Sequence, residues 1–240
     1  MPGQDHEQDH GSTRSGDDRR PRQRQARLLL VTLAAVAGCT DAVTYVSLGH
    51  VFTANMTGNT VLLGIAFVTG STTRVLRSAS ALAGFCLGVA LAAGFIGPSR
   101  HRLWPLRVTL ALVAETAILA ALAVSAAATT AHAGRVYWLI ALSGVAMGAQ
   151  SAAVRAVAVP GVATTYITGT LTRLVASTFD RAAEARSQAT DTRRLGAAIW
   201  CVYLLAAVVG GAAARASGPQ AIWIAAGTVA LVAVIALMRR

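Results

Sequence analysis

Residues 41–59 read DAVTYVSLGHVFTANMTGN, a carboxylate followed by a polar segment rich in helix breakers, and they lie between long apolar runs. Backbone that crosses lipid must satisfy its own hydrogen bonds, so irregular structure at membrane depth survives only inside protein or beside water. Polar residues placed there mark a functional site. Part of the stretch recurs 111 residues later, where residues 162–174 read VATTYITGTLTRL and Val51, Thr53, Thr57 and Gly58 fall on Val162, Thr164, Thr168 and Gly169. The spacing predicts an internal two-fold repeat.

The composition agrees with a membrane reading. Of 240 residues, 55% are hydrophobic and 13% charged, outside the range of soluble domains. The net charge of +11 comes wholly from Arg, most of it in the N-terminal tail or in short gaps between apolar segments. That pattern is positive-inside anchoring and excludes a nucleic-acid reader, which would cluster basic residues on a soluble surface. Cys39, Cys86 and Cys201 lie inside apolar runs and form neither a disulfide framework nor a metal motif. Residues 36–39 (VAGC) resemble a lipoprotein cleavage box, but the apolar pattern continues past them to the C-terminus.

Residues 1–26 are polar and are expected to form a disordered, Arg-rich cytoplasmic tail. Residues 27–240 form the membrane domain, with repeats at 28–131 and 136–240. Its apolar segments are 28–48, 58–69, 76–97, 106–128, 136–154, 169–179, 196–214 and 221–238. A crossing needs about 20 residues, and the second and sixth segments are too short. The predicted fold is therefore an all-α polytopic membrane protein with about six transmembrane helices and two broken, re-entrant half-helices. The alternative is eight crossings. With the N-terminus inside, Arg divides 16 to 4 between the faces for six crossings and 15 to 5 for eight, which does not separate them. Six crossings would make the repeats inverted and eight would make them parallel.

The motifs GCTDAVTYVSLGHVFTANMTGNTVLLG, residues 38–64, and MGAQSAAVRAVAVPGVATTYITGTLTRL, residues 147–174, resemble the YoaK-type family of bacterial membrane proteins. The resemblance covers residues 30–238 and implies an integral protein of the bacterial cytoplasmic membrane. It implies no substrate, because that family is uncharacterised.

Ionisable residues inside the apolar segments are Asp41, Glu115 and Arg173, with Arg155 at the end of the fifth. Each reads either as part of a structural ion pair or as a group on an ion pathway. Thr57, Gly58, Asn59 and Thr60, and Thr168, Gly169 and Thr170, are placed to start the half-helices, whose free N–H groups favour an anion or a carbonyl oxygen. Asn55 and Asn59 occur in the first copy only, and Gln150 lies in the second copy near the place of Asp41. The candidate substrate or ion site is thus Asp41, Asn55, Thr57, Gly58, Asn59, Gln150, Thr164, Thr168 and Gly169, with Glu115 and Arg173 as buried charges. No Walker loop, HExxH, GxSxG or catalytic Lys is present, so the expectation is no enzyme, no cofactor and no metal. The expected function is a small-solute or ion permease whose partners are the lipid bilayer and an unknown solute; the Gly pairs at 84 and 88, 144 and 148, and 210 and 211 would also serve a homo-oligomer. The alternative is a non-transporting membrane scaffold.

Overall fold

The computed structural model describes residues 19–97, 104–127, 134–157, 167–176 and 187–238. Among these, every regular element is helical. In chain order they are α1 (Arg19–Ser47), α2 (Met56–Val68), α3 (Thr72–Ile96), α4 (Leu106–Ala127), α5 (Arg135–Ala156), α6 (Ile167–Ala176), α7 (Ser187–Ser217), a 3-10 turn (Gly218–Ala221) and α8 (Ile222–Met238). Six are long, and α2 and α6, with 13 and 10 residues, are short. Five stretches have the length and apolarity to cross a membrane: Arg24–Ser47, Thr72–Ile96, Leu106–Ala127, Arg135–Ala156 and Arg193–Met238. The last has 46 residues, about twice one crossing, and the 3-10 turn divides it at Gly218, whose φ is +64°. The chain is a polytopic all-α membrane protein, and it leaves large apolar side chains exposed, among them Val61, Phe67, Val68, Leu91 and Leu205, as a surface in lipid requires.

Helix α1 starts at Arg19, ahead of the stretch long and apolar enough to cross, which begins at Arg24. Adding turns to an existing helix avoids the nucleation cost, and Arg and Gln are good helix formers. Pro21 is tolerated because it lies in the first turn.

Long helices pair through glycine. A β-carbon on Gly84, Gly88 or Gly148 would collide with the backbone carbonyl of Ala141, Val145 or Phe85, so α3 and α5 touch backbone to backbone. Residue numbers rise together along both helices, which makes them parallel. Helices α1 and α7 meet in the same way, with Gly38 against the Tyr203 carbonyl and Gly210 against Cys39.

Helices α1 and α5 run in opposite directions. The Gln150 amide donates to the Leu33 carbonyl at 3.0 Å. Ser143, two turns earlier on α5, donates to the Thr53 hydroxyl at 3.0 Å, and Thr53 is bonded in turn to Asp41, two turns later on α1. Since α5 is parallel to α3, α1 is antiparallel to α3. No net crossing can then occur between the end of α1 and the start of α3. Helix α2 is therefore re-entrant, and it returns to α3 through the tight turn at residues 69–71. Consistent with this, the Arg77 guanidinium near the start of α3 fills the space beside Gly49, just past the end of α1.

The packing partners interchange when α1–α4 are exchanged for α5–α8. The pair α3 and α5 becomes α7 and α1, α4 and α5 becomes α8 and α1, α2 and α3 becomes α6 and α7, and α4 with α8 maps onto itself. Burial follows the same exchange. On α1 and α5 buried positions coincide at a shift of 110 residues, as in Leu30 and Ile140, Ala37 and Met147, and Thr40 and Gln150. On α4 and α8 the shift is 117, as in Val108 and Ala225, Leu112 and Val229, and Leu119 and Ala236.

This direction of the helices is open to a labelling test. In a Cys-free background with the N-terminus inside, a single Cys at Thr72 is expected to react with an impermeant maleimide added to whole cells. Reaction only after permeabilisation would mean that α2 crosses the membrane.

Candidate functional site

The site begins where α1 ends. Leu48 and His50 donate backbone N–H bonds to the carbonyls of Thr44 and Tyr45, and Gly49 and His50 both take positive φ, 100° and 64°. Two successive left-handed residues turn the chain back on the helix it has just left, and glycine and histidine tolerate that conformation better than branched residues do. The Tyr45 ring is stacked on Phe52 at 5.0 Å and meets His50 edge-on at 5.1 Å, which fastens the reversal.

The returning strand lies against Asp41. Its Oδ1 accepts the backbone N–H of Thr53 and of Ala54, each at 2.7 Å, and its Oδ2 accepts the Tyr203 hydroxyl of α7 at 2.7 Å. Asp41 is six residues before the last residue of α1, so the break penetrates about 9 Å below the helix end at 1.5 Å per residue. Buried backbone N–H groups at that depth have no water to turn to, and a carboxylate can take both. Asp41 is 2% exposed. Its partners among the described residues are hydrogen-bond donors and not a cation, so the ion-pair reading of Asp41 gives way to a carboxylate that holds backbone.

Asn59 performs the same service one step on. Its Oδ1 accepts the Phe52 N–H at 2.9 Å and its Nδ2 donates to the Phe52 carbonyl, so one side-chain amide satisfies both backbone groups of a residue that no helix or strand pairs. It is fully buried. Helix α2 begins at Met56, with Asn55 as its N-cap accepting the Gly58 N–H at 3.3 Å. The expectation that Thr57, Gly58, Asn59 and Thr60 cap the half-helix is corrected by two residues: Thr57 and Gly58 lie inside the first turn, and the cap is Asn55, three residues before Gly58. Gly58 packs under the Phe52 ring, where a β-carbon would lie 2.9 Å from a ring carbon.

Two further oxygens, one on α1 and one two turns away on α5, are buried without a partner among the described residues. Thr40 Oγ1 precedes Asp41 on α1, and Gln150 Oε1 lies on α5, whose Nε2 is engaged by Leu33. The two residues occupy corresponding places on the antiparallel pair. Structure therefore joins Asp41, Asn55, Thr57, Gly58 and Asn59 into one loop and sets Gln150 on the opposing helix. Gly169 is half-buried on α6. Thr164, and the side chains of Thr168 and Arg173 on α6, lie outside the described residues. Glu115 is not part of this cluster, and it has no hydrogen-bond partner at either oxygen. Its expected structural pairing is thus absent among the described residues. Among those residues no group of three or more His, Cys, Asp or Glu could hold a metal ion.

Sequence reasoning passed over Thr53, Ser143 and Tyr203 as site residues. Tyr203 stands 162 positions from Asp41, and one tyrosine in an apolar run carries no local signal of its partner. Ser143 is likewise one small residue among the glycines of α5.

The network orders the effects of substitution. Asp41→Asn retains an acceptor for Thr53 and Ala54 and is expected to fold. Asp41→Ala strands two buried N–H groups, each worth about 1–3 kcal/mol, and is expected to lower the melting temperature in detergent well below that of Tyr203→Phe, which loses one bond of about 1 kcal/mol. Equal melting temperatures for Asp41→Ala and Tyr203→Phe would refute the assignment.

Comparison with known proteins places the chain in a family without placing its chemistry. A family model described as "Protein of unknown function (DUF1275)" matches residues 29–235. The chain is 39% identical over 182 residues, 72% of its own length and 79% of the relative's, to the UPF0700 transmembrane protein YoaK of Bacillus subtilis (strain 168). No solved structure matches it at a significant level. With most of the chain covered by the family model and more than two thirds of it by a relative of this similarity, the protein belongs to the DUF1275 family of transmembrane proteins.

Proposed function

We propose that this protein is a permease for a small solute or ion, built from two inverted repeats and working in the bacterial cytoplasmic membrane with its N-terminus inside. The observation that carries this reading is the re-entrant break anchored on Asp41, in a bundle whose two halves exchange packing partners. Discontinuous helices at the interface of inverted repeats are how many transporters form a polar site within the membrane. Backbone that leaves helical geometry at such depth costs several kcal/mol per unsatisfied group, and this chain commits Asp41, Asn59 and Tyr203 to holding it there. A scaffold has no need of that expense.

In this reading Asp41 is the latch of a gate. While its carboxylate holds Thr53 and Ala54, the loop stays against α1 and α5; release would open the space beside Thr40, whose unpartnered hydroxyl would meet the passing solute, and the solute's path along the two helices would then reach Gln150, two turns away opposite Leu33. The asymmetry between halves supports a latch on one side only. At a shift of 110 residues Asp41 falls on Ser151, and at the 118-residue shift that relates burial on α3 and α7, Tyr203 falls on Phe85. Both ends of the Asp41–Tyr203 bond are thus replaced together in the other half. The protein is read as a carrier and not as an enzyme.

A thermal-stability screen of the purified protein against inorganic anions, monovalent cations, small carboxylates and small amides tests this. At least one solute is expected to raise the melting temperature of the wild type and to leave that of Asp41→Asn unchanged. A folded wild type that no solute shifts, or a shift that survives in Asp41→Asn, would contradict the reading.

A further inference from the structure

Among the described residues two carboxylates are buried within the membrane-spanning helices, and the protein treats them in opposite ways. Asp41 receives three hydrogen bonds. Glu115, near the middle of α4, is fully buried, and neither of its oxygens has a donor among the described residues. An ionised carboxylate in apolar surroundings without donors or a counter-ion costs several kcal/mol or more.

The elements packed against α4 offer nothing to offset that cost. Helix α8 and the 3-10 turn carry no titratable side chain. Helix α5 carries Arg135 and Arg155 at its two ends and Tyr137 in its first turn, and α3 carries Arg74 and Arg77 in its first two turns and an exposed Cys86. On α4 itself Arg107, two turns away from Glu115, donates to the Phe95 carbonyl at 3.1 Å.

Packing does not require a carboxyl at this position either. In the burial register that relates α4 to α8, Glu115 falls on Val232, which is also buried. The corresponding place in the other half is filled by a branched hydrocarbon. A polar group that neither pairs nor fills a space that an apolar residue could not is retained for what it binds.

We propose that Glu115 is a proton-binding site of the protein, a carboxyl group within the α4–α8 layer that takes its proton from solution. A proton is the ligand that fits: it removes the charge without needing the further ligands that a metal cation would require, and no group of three or more His, Cys, Asp or Glu that could hold a metal ion occurs among the described residues. The assignment separates two roles that the sequence left joined. Asp41 holds backbone, and Glu115 carries the exchangeable proton. It does not depend on the permease reading, because it concerns binding by the protein at rest.

The test is carbodiimide labelling of the purified full-length chain. N,N′-dicyclohexylcarbodiimide is apolar and reacts with a protonated carboxyl: the acid proton passes to a carbodiimide nitrogen, the carboxylate oxygen adds to the central carbon, and acyl migration gives a stable N-acylurea with no leaving group. Peptide mass spectrometry is expected to find the adduct on Glu115 in the wild type and in Asp41→Asn, and to find it lost in Glu115→Gln. Asp41, covered by its donors, should remain unmodified. An unmodified Glu115, or an adduct on Asp41 that persists in Glu115→Gln, would overturn the proposal. The melting temperature of Glu115→Gln gives a second reading: it is expected to match the wild type, whereas a fall of several degrees would show that the carboxylate serves a structural pair.

Discussion

The structure depends on one carboxylate accepting two backbone N–H groups. Once the chain turns back at Gly49 and His50, Thr53 and Ala54 lie inside the bundle with no helix to pair them. Asp41 supplies the acceptor, Tyr203 holds Asp41 from α7, and Ser143 reaches the same loop from α5. Three helices are thereby tied at one point, and the direction of α2 follows. A loop that could not be satisfied there would leave the membrane interior, and α2 would have to cross or lie on the surface.

Much of this was legible in sequence because lipid imposes a strict rule. Apolar length fixed the six long segments, and polarity at depth singled out residues 41–59 before any geometry was known. What the Arg distribution could not decide was the number of crossings, since both topologies place most Arg on one face. The answer lay in pairwise geometry, in Gln150 meeting Leu33 while Ser143 meets the loop held by Asp41, and no composition or periodicity encodes such a pairing. The start of α2 shows the same limit at shorter range. Threonine and glycine marked the break, but that Asn55, two residues before Thr57, would cap the helix depended on how the segment before it was held.

The two halves are alike in packing and unlike in polarity. Glycines bring α3 to α5 and α1 to α7 with the same backbone contact, Gly148 on Phe85 and Gly38 on Tyr203. Within that shared packing, Asp41 and Tyr203 correspond to Ser151 and Phe85, and Glu115 corresponds to Val232. Close packing resists change in size more than change in polarity when partners change together, so two halves with the same packing can keep their shape while one of them takes on the ionisable groups.

The central claim is that residue 53 returns to the interior and rests against α5. A disulfide between Cys at Thr53 and Cys at Ser143, in a chain otherwise free of Cys, measures that contact directly. The account predicts rapid intramolecular cross-linking under mild oxidation in native membranes, since the two hydroxyls lie 3.0 Å apart. Two thiols that stay free in the folded protein, while a control pair at Ala42 and Gly211, whose β-carbons would lie 3.8 Å apart, closes, would contradict it.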